Sequence, residues 1–224
     1  MFPDLQGSKY CYVNLEAEAV RWSGEHPELF SAGGNPLLHP AVCQRMMDDV
    51  HERYGVVWSH GGYLENRSRL WRGSYLEATG NFLHLGVDCT VPRSTRVAVD
   101  FPAKVILVDH DLDRDGGWGT RVFLTSDGPV FVYAHLQNAE VRPGQALEPD
   151  TVFAEVGGPP ENGNWHPHLH VQAIRAGLFH EILLERFQEL DGYGHPNAIT
   201  KLQQDFPDPR SYLGLLGSRE ARTV

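Results

Sequence analysis

A chain of 224 residues, 41% hydrophobic and 21% charged, has the make-up of a globular protein with one well-packed core and its extensions, and excludes a fibrous or disordered chain. Its formal charge of -10, without long runs of like charge, excludes the basic footprint that nucleic acid or anionic lipid requires. No stretch is apolar for long enough to span a bilayer, and Met1 to Gln6 lacks the basic and apolar regions of a signal peptide. The expectation is a cytoplasmic protein with no nucleic-acid and no membrane partner; the oligomeric state is left open.

Residues 1–62 read as an irregular N-terminal extension with one helix predicted over Pro40 to Tyr54, where Pro40 suits a first-turn position. Cys11, Cys43 and Cys89, odd in number and widely spaced, read as small buried hydrophobes, not as a disulfide framework or a thiolate metal site. From about residue 83 the texture changes to short Val-rich runs, Arg96 to Asp100, Lys104 to Asp109 and Arg121 to Thr125, which read as strands. Asp111 to Gly116 copies the first half of a calcium loop, but its twelfth position is Val122 instead of Glu, so it reads as a hairpin tip. Ser126-Asp127-Gly128-Pro129 separates Arg121 to Thr125 from Val130 to His135, a second hairpin signal.

Turn signals at Pro143-Gly144 and Gly157-Gly158-Pro159-Pro160 space the strands as in an antiparallel sandwich or small barrel. Residues 63–176 are the expected β domain. Phe179 to Leu190, with Phe179, Ile182, Leu183, Arg186 and Phe187 at helical spacing, predicts a helix outside the sheet, in a C-terminal extension over residues 177–224. The fold class expected is therefore mainly β, with an N-terminal irregular and helical extension and a C-terminal helix.

Four of the twelve histidines fall in three short motifs of the β region: His84-Leu85-Gly86-Val87-Asp88, Tyr133-Ala134-His135-Leu136 and His168-Leu169-His170. Two imidazoles and one carboxylate satisfy zinc while leaving a tetrahedral position open for water. Residues two apart on a strand face one side, so His168 and His170 project into one space. Only one of them need touch a metal; the other can stand beside the open position and move protons. Gly86 favours strand then bend over a helix for His84 to Asp88, and His135, ending its strand, can reach the same cavity. His166, two before His168, is a candidate at the rim. Arg67 and Arg72, among Tyr63, Trp71 and Tyr75, are candidates to bind a substrate carboxylate.

This order, His-x-x-x-Asp, then Tyr-Ala-His-Leu, then His-Leu-His, resembles the lysostaphin-like zinc endopeptidases, whose fold is the duplicated hybrid motif, across roughly residues 83 to 174. Pro92 to Val97 and Val141 to Gln145 fit the same pattern. The resemblance implies Zn2+ held by His84, Asp88 and His170, with His135 and His168 as the catalytic pair. It also implies hydrolysis of a peptide or amide bond in a small peptide-like or peptidoglycan-like substrate. Glu161 to Gln172 and Tyr63 to Trp71 look more like cytoplasmic modules of this family, sometimes fused to class III aminotransferase-like enzymes, than like its secreted wall-cleaving members. Val171-Gln172 puts an uncharged amide where the family often has a carboxylate to orient a ligand. The alternative reading is a metal-binding scaffold of the same fold without activity. A phosphocarrier is disfavoured because Asp88 would repel a phosphohistidine.

Overall fold

A computed structural model describes residues 1–31, 33–114, 116–187 and 190–216. The N-terminal part holds β1 (Tyr10–Tyr12), α1 (Leu15–Glu25), α2 (Pro27–Phe30), α3 (Pro40–Tyr54), β2 (Trp58–Gly61) and α4 (Leu76–Thr79). The predicted helix is α3, with Pro40 in its first turn and Gly55 at φ 61° ending it, the left-handed position that glycine takes without a Cβ clash. Next come β3 (Leu83–His84), β4 (Val87–Thr90), β5 (Arg96–Ala98), β6 (Ala103–Asp111), β7 (Gly119–Thr125), β8 (Val130–Gln137), β9 (Ala146–Leu147), β10 (Val152–Val156) and β11 (Leu169–Ile174). The chain finishes with α5 (Ala176–Glu181), a π-helical turn at Ile182–Arg186, β12 (Tyr193–Gly194) and α6 (Ile199–Asp205).

The main sheet runs β1-β2-β4-β11-β8-β7-β6-β9, with β10 joining β8 and β5. Among the described residues its pairs are antiparallel except β1 on β2. The N-terminal extension joins the β domain through the antiparallel pairing of β2 with β4, and β1 prolongs the same sheet beyond β2. Behind them α3 buries Cys43, Met46, Met47 and Val50 against Trp22, Leu37 and Trp165, the last from the β domain. All three cysteines are free and buried, as expected. No helix among the described residues is long and apolar enough to cross a membrane.

Period-two alternation sorts side chains into layers. Phe131 and Tyr133 of β8, Val87 and Cys89 of β4, and Leu169, Val171 and Ala173 of β11 point to one core. Val130, Val132 and Ala134 of β8 and Ile174 of β11 take the opposite face, where Leu178, Phe179 and Ile182 cover them. His170 and Gln172 share that second face by the same alternation, at the end that α5 leaves open. Phe123 is wholly buried there against the rings of Phe179 and Phe187, at 5.5 and 5.7 Å. Phe123→Ala is expected to lower unfolding stability by about 3–5 kcal/mol, read from urea midpoints.

The predicted Phe179 to Leu190 helix differs in detail. α5 passes into the π turn, whose wider ring moves each later side chain off the 3.6-residue stripe. Leu183 is therefore 44% exposed, although helical spacing assigns it to the buried face. Gln188 and Glu189 lie outside the described residues. The Asp111 to Gly116 segment is a hairpin tip between β6 and β7, with both Asp111 oxygens accepting backbone N–H groups, from Asp113 and Trp118; Asp115 lies outside the described residues.

His60 on β2 is buried, and burial, followed by the Arg210 guanidinium, pushes its pKa down from 6.5 to about 4. The unfolded chain then binds a proton that the folded one refuses, so this histidine contributes stability above pH 6.5 that is lost as pH falls towards 4. The urea midpoint of metal-free protein is expected to drop across that window, and the drop to shrink in His60→Gln.

Candidate metal centre

Strand register assembles the site. His170 of β11 stands opposite Asp88 of β4, and Asp88 stands opposite Gly61 of β2. His84 pairs with Tyr193 in the separate β3-β12 ladder, and Leu85-Gly86 bends the chain from β3 into β4. A Cβ on Gly86 would stand 2.6 Å from His170 Cε1 and 2.7 Å from its Nε2, so only glycine leaves room for that ring.

His84, Asp88 and His170 are all buried, and they bring one potential ligand atom each within 4.8 Å of one another. The edges of the triangle are 3.1 Å for His84 Nε2 to His170 Nδ1, 3.0 Å for His170 Nδ1 to Asp88 Oδ1 and 3.4 Å for His84 Nε2 to Asp88 Oδ1. A tetrahedral zinc ion with bonds of about 2.0–2.1 Å needs ligand edges of about 3.3–3.4 Å, so the donor set is close to that size before any ion is added.

The outer hydrogen bonds fix the tautomers. His84 Nδ1 lies 3.1 Å from the carbonyl oxygen of Gly62, which can only accept, so Nδ1 carries the proton and Nε2 turns a lone pair inward. Gln172 Nε2 donates to the Asp191 carbonyl at 3.3 Å, which orients the amide so that Oε1 accepts from His170 Nε2 at 3.1 Å. His170 Nδ1 is thereby the unprotonated nitrogen. The amide oxygen of Gln172 thus orients His170 from the position where the sequence puts an amide in place of a carboxylate.

Burial and the Arg67 guanidinium push His84 down to about 3, which keeps it neutral. Burial opposes charge on Asp88, but the Arg67 guanidinium against Oδ2 holds its carboxyl well below the usual range. Three acceptors without a donor between them converge on one point, an arrangement that repels itself unless a cation sits there.

Residues 82–180 match Peptidase family M23. The matched span, less than half of the chain, contains all three motifs. No curated protein matches. Among solved structures, the chain is similar to a mutant catalytic domain of the prophage-encoded M23 protein EnpA from Enterococcus faecalis, at 18% identity and a TM-score of 0.39, over 51% of this chain and 77% of that one. The catalytic domain of the antimicrobial peptidase lysostaphin from Staphylococcus simulans gives 18% and 0.38, over 54% and 80%. A zinc-containing peptidase from Vibrio cholerae gives 24% and 0.35, over 41% of this chain and 27% of that one.

Within the matched span two more imidazoles stand beside the triangle. His168 Nδ1 donates to the His166 carbonyl at 2.8 Å, so its Nε2 is a lone pair, 3.9 Å from Asp88 Oδ1. The ring of His135 lies 4.4 Å from that of His168, centroid to centroid. His135 is held at φ 62°, left-handed for a non-glycine residue, by its backbone bonds to Trp118 and Gly157. Such a conformation costs on the order of 1–3 kcal/mol and marks a position where geometry is imposed. Burial, then the neighbouring His168 and His170, keep His135 neutral far below its ordinary pKa, and its buried Nδ1 has no protein partner among the described residues.

Both rings open into a groove of about 400 Å³ walled by Trp71, Tyr75, Trp118, Trp165 and Tyr193. Of the rim candidate His166 and the substrate-carboxylate candidates Arg67 and Arg72, none lines it. Arg67 is wholly buried behind Asp88, Arg72 is exposed outside the groove, and His166 lies beneath, with Nδ1 3.4 Å from Cys43 Sγ and Nε2 3.3 Å from Thr90 Oγ1. Committed to those partners, His166 is not available as a fourth ligand. Trp118 and Tyr193 are site residues that the sequence reading missed, because neither has a short-range spacing to the histidine motifs; Gln172 stands at the ligand-orienting position that the sequence singled out.

Proposed function

We propose that the M23 region is a zinc-dependent peptidase that cleaves a peptide or amide bond in a small peptide-like or peptidoglycan-like substrate. His84, Asp88 and His170 hold the ion in this reading. The observation that carries it is the convergence of three acceptors whose outer hydrogen bonds lock every lone pair inward, beside two neutral histidines that hold no other ligand atom. Bound there, a zinc ion supplies Lewis acidity that polarises a carbonyl and lowers the pKa of water. His168 Nε2, a free lone pair on the groove side of Asp88, takes the proton of the attacking water. His135, neutral and partnerless at Nδ1 among the described residues, is placed to stabilise charge on the carbonyl oxygen, and the proton that His168 has taken is handed on to the leaving amine, which returns His168 to its neutral form. His84, Asp88, His168 and His170 are buried, and the low dielectric around them strengthens both interactions.

The test is hydrolysis of a panel of short peptides and peptidoglycan fragments by purified, metal-analysed protein. Activity is expected to vanish on chelation and to return with added zinc. Hydrolysis indifferent to chelator would sink the reading.

A further inference from the structure

The charge arrangement behind Asp88 is more elaborate than holding one carboxylate requires. Arg67 has no exposed surface, and its Nη1 donates to Asp88 Oδ2 at 2.6 Å and to the Tyr193 hydroxyl at 3.1 Å. Its Nε donates to Glu65 Oε1 at 3.0 Å, and Glu65 is buried in turn. Trp71 Nε1 donates to the same Tyr193 hydroxyl at 2.6 Å, so that oxygen accepts from two sides. Space has been kept for the guanidinium: a Cβ on Gly62 would stand 2.2 Å from Arg67 Nη2. Burying a guanidinium costs several kcal/mol unless its partners are well placed, so the position calls for a role beyond packing.

The two oxygens of Asp88 face different partners. Oδ1 joins the triangle with His84 and His170, whereas Oδ2 is taken by Arg67. We propose that Arg67 is a positioning residue that denies Asp88 Oδ2 to the metal, making the carboxylate a one-oxygen ligand and preserving the open coordination position on which catalysis depends. The inference rests on the proposed metal site. Without Arg67, Oδ2 would lose the hydrogen bond that holds it away from the triangle, and Asp88 would be free to offer both oxygens to an ion. Glu65 acts one step further out by fixing the other edge of the guanidinium.

Cobalt(II) reports this directly, because its visible absorption is intense in four-coordinate sites and weak in five-coordinate ones. Cobalt-loaded wild-type protein is expected to give the intense spectrum. Arg67→Met is expected to give the weak one with zinc affinity lower by roughly 10–100-fold, as for other partners of metal ligands, and Arg67→Lys to recover part of both. A purely structural role would lower the melting temperature of all forms without changing coordination number. Should Arg67→Met not fold, Glu65→Gln is expected to shift the spectrum the same way, and the wild-type spectrum stands as a test by itself. A weak, five-coordinate spectrum in wild type, or the intense one in a folded Arg67→Met protein, overturns the proposal. Failure of wild type to bind cobalt or zinc at all would instead remove the metal site on which it rests.

Discussion

Replacing Gly86 with alanine is expected to abolish tight zinc binding at the proposed site while leaving the sheet folded. The added carbon would lie 2.6 Å from His170 Cε1, 2.7 Å from its Nε2 and 2.7 Å from the Val171 carbonyl oxygen. A flexible side-chain tip could step aside, but an imidazole tied to Gln172 and a backbone oxygen inside a paired strand cannot. Such overpacking costs about 1–3 kcal/mol in stability. The larger effect falls on the ligand: with His170 displaced, two of the three triangle edges open, and zinc affinity should fall by at least roughly 100-fold. Competition with a chromophoric chelator reads this directly. Unchanged affinity in Gly86→Ala would mean that His170 does not hold the ion in the orientation its hydrogen bonds imply.

His135→Ala separates holding the ion from using it. His135 is no member of the triangle, so zinc content should remain that of wild type, whereas removal of the group proposed to stabilise the developing charge should lower kcat by about 10²–10³-fold. Taken with Gly86→Ala, the pair distinguishes an enzyme from a scaffold. In an enzyme the first variant loses turnover and keeps zinc, and the second loses both. A scaffold that binds metal without chemistry would show no turnover for His135→Ala to lose.

The histidine motifs were legible because strand periodicity is a short-range rule: two residues apart means one face, and His168 and His170 obey it. The bend at Leu85-Gly86 and the helix over Pro40 to Tyr54 were legible for the same reason, since glycine and proline act on the backbone locally. The partners that tune the site were not. Arg67 lies 21 residues from Asp88, and Tyr193 lies 126 from Arg67. Their meeting depends on the β3-β12 ladder and the turn after β2, neither of which has a periodic signature at two to four residues. Arginines near tryptophan and tyrosine suggested a substrate contact because sequence does not reveal which charges are buried. The union of residues 1–62 with the β domain was hidden likewise, because it rests on the four-residue β2 pairing with β4 some thirty residues on.

The most direct test of the central claim is anomalous diffraction at the zinc edge from crystals of the zinc-loaded protein. The account predicts one strong peak at about 2.0–2.2 Å from His84 Nε2, Asp88 Oδ1 and His170 Nδ1, with no bond to His135, His166 or His168. A peak elsewhere, or a site closed by a fourth protein ligand, would contradict it.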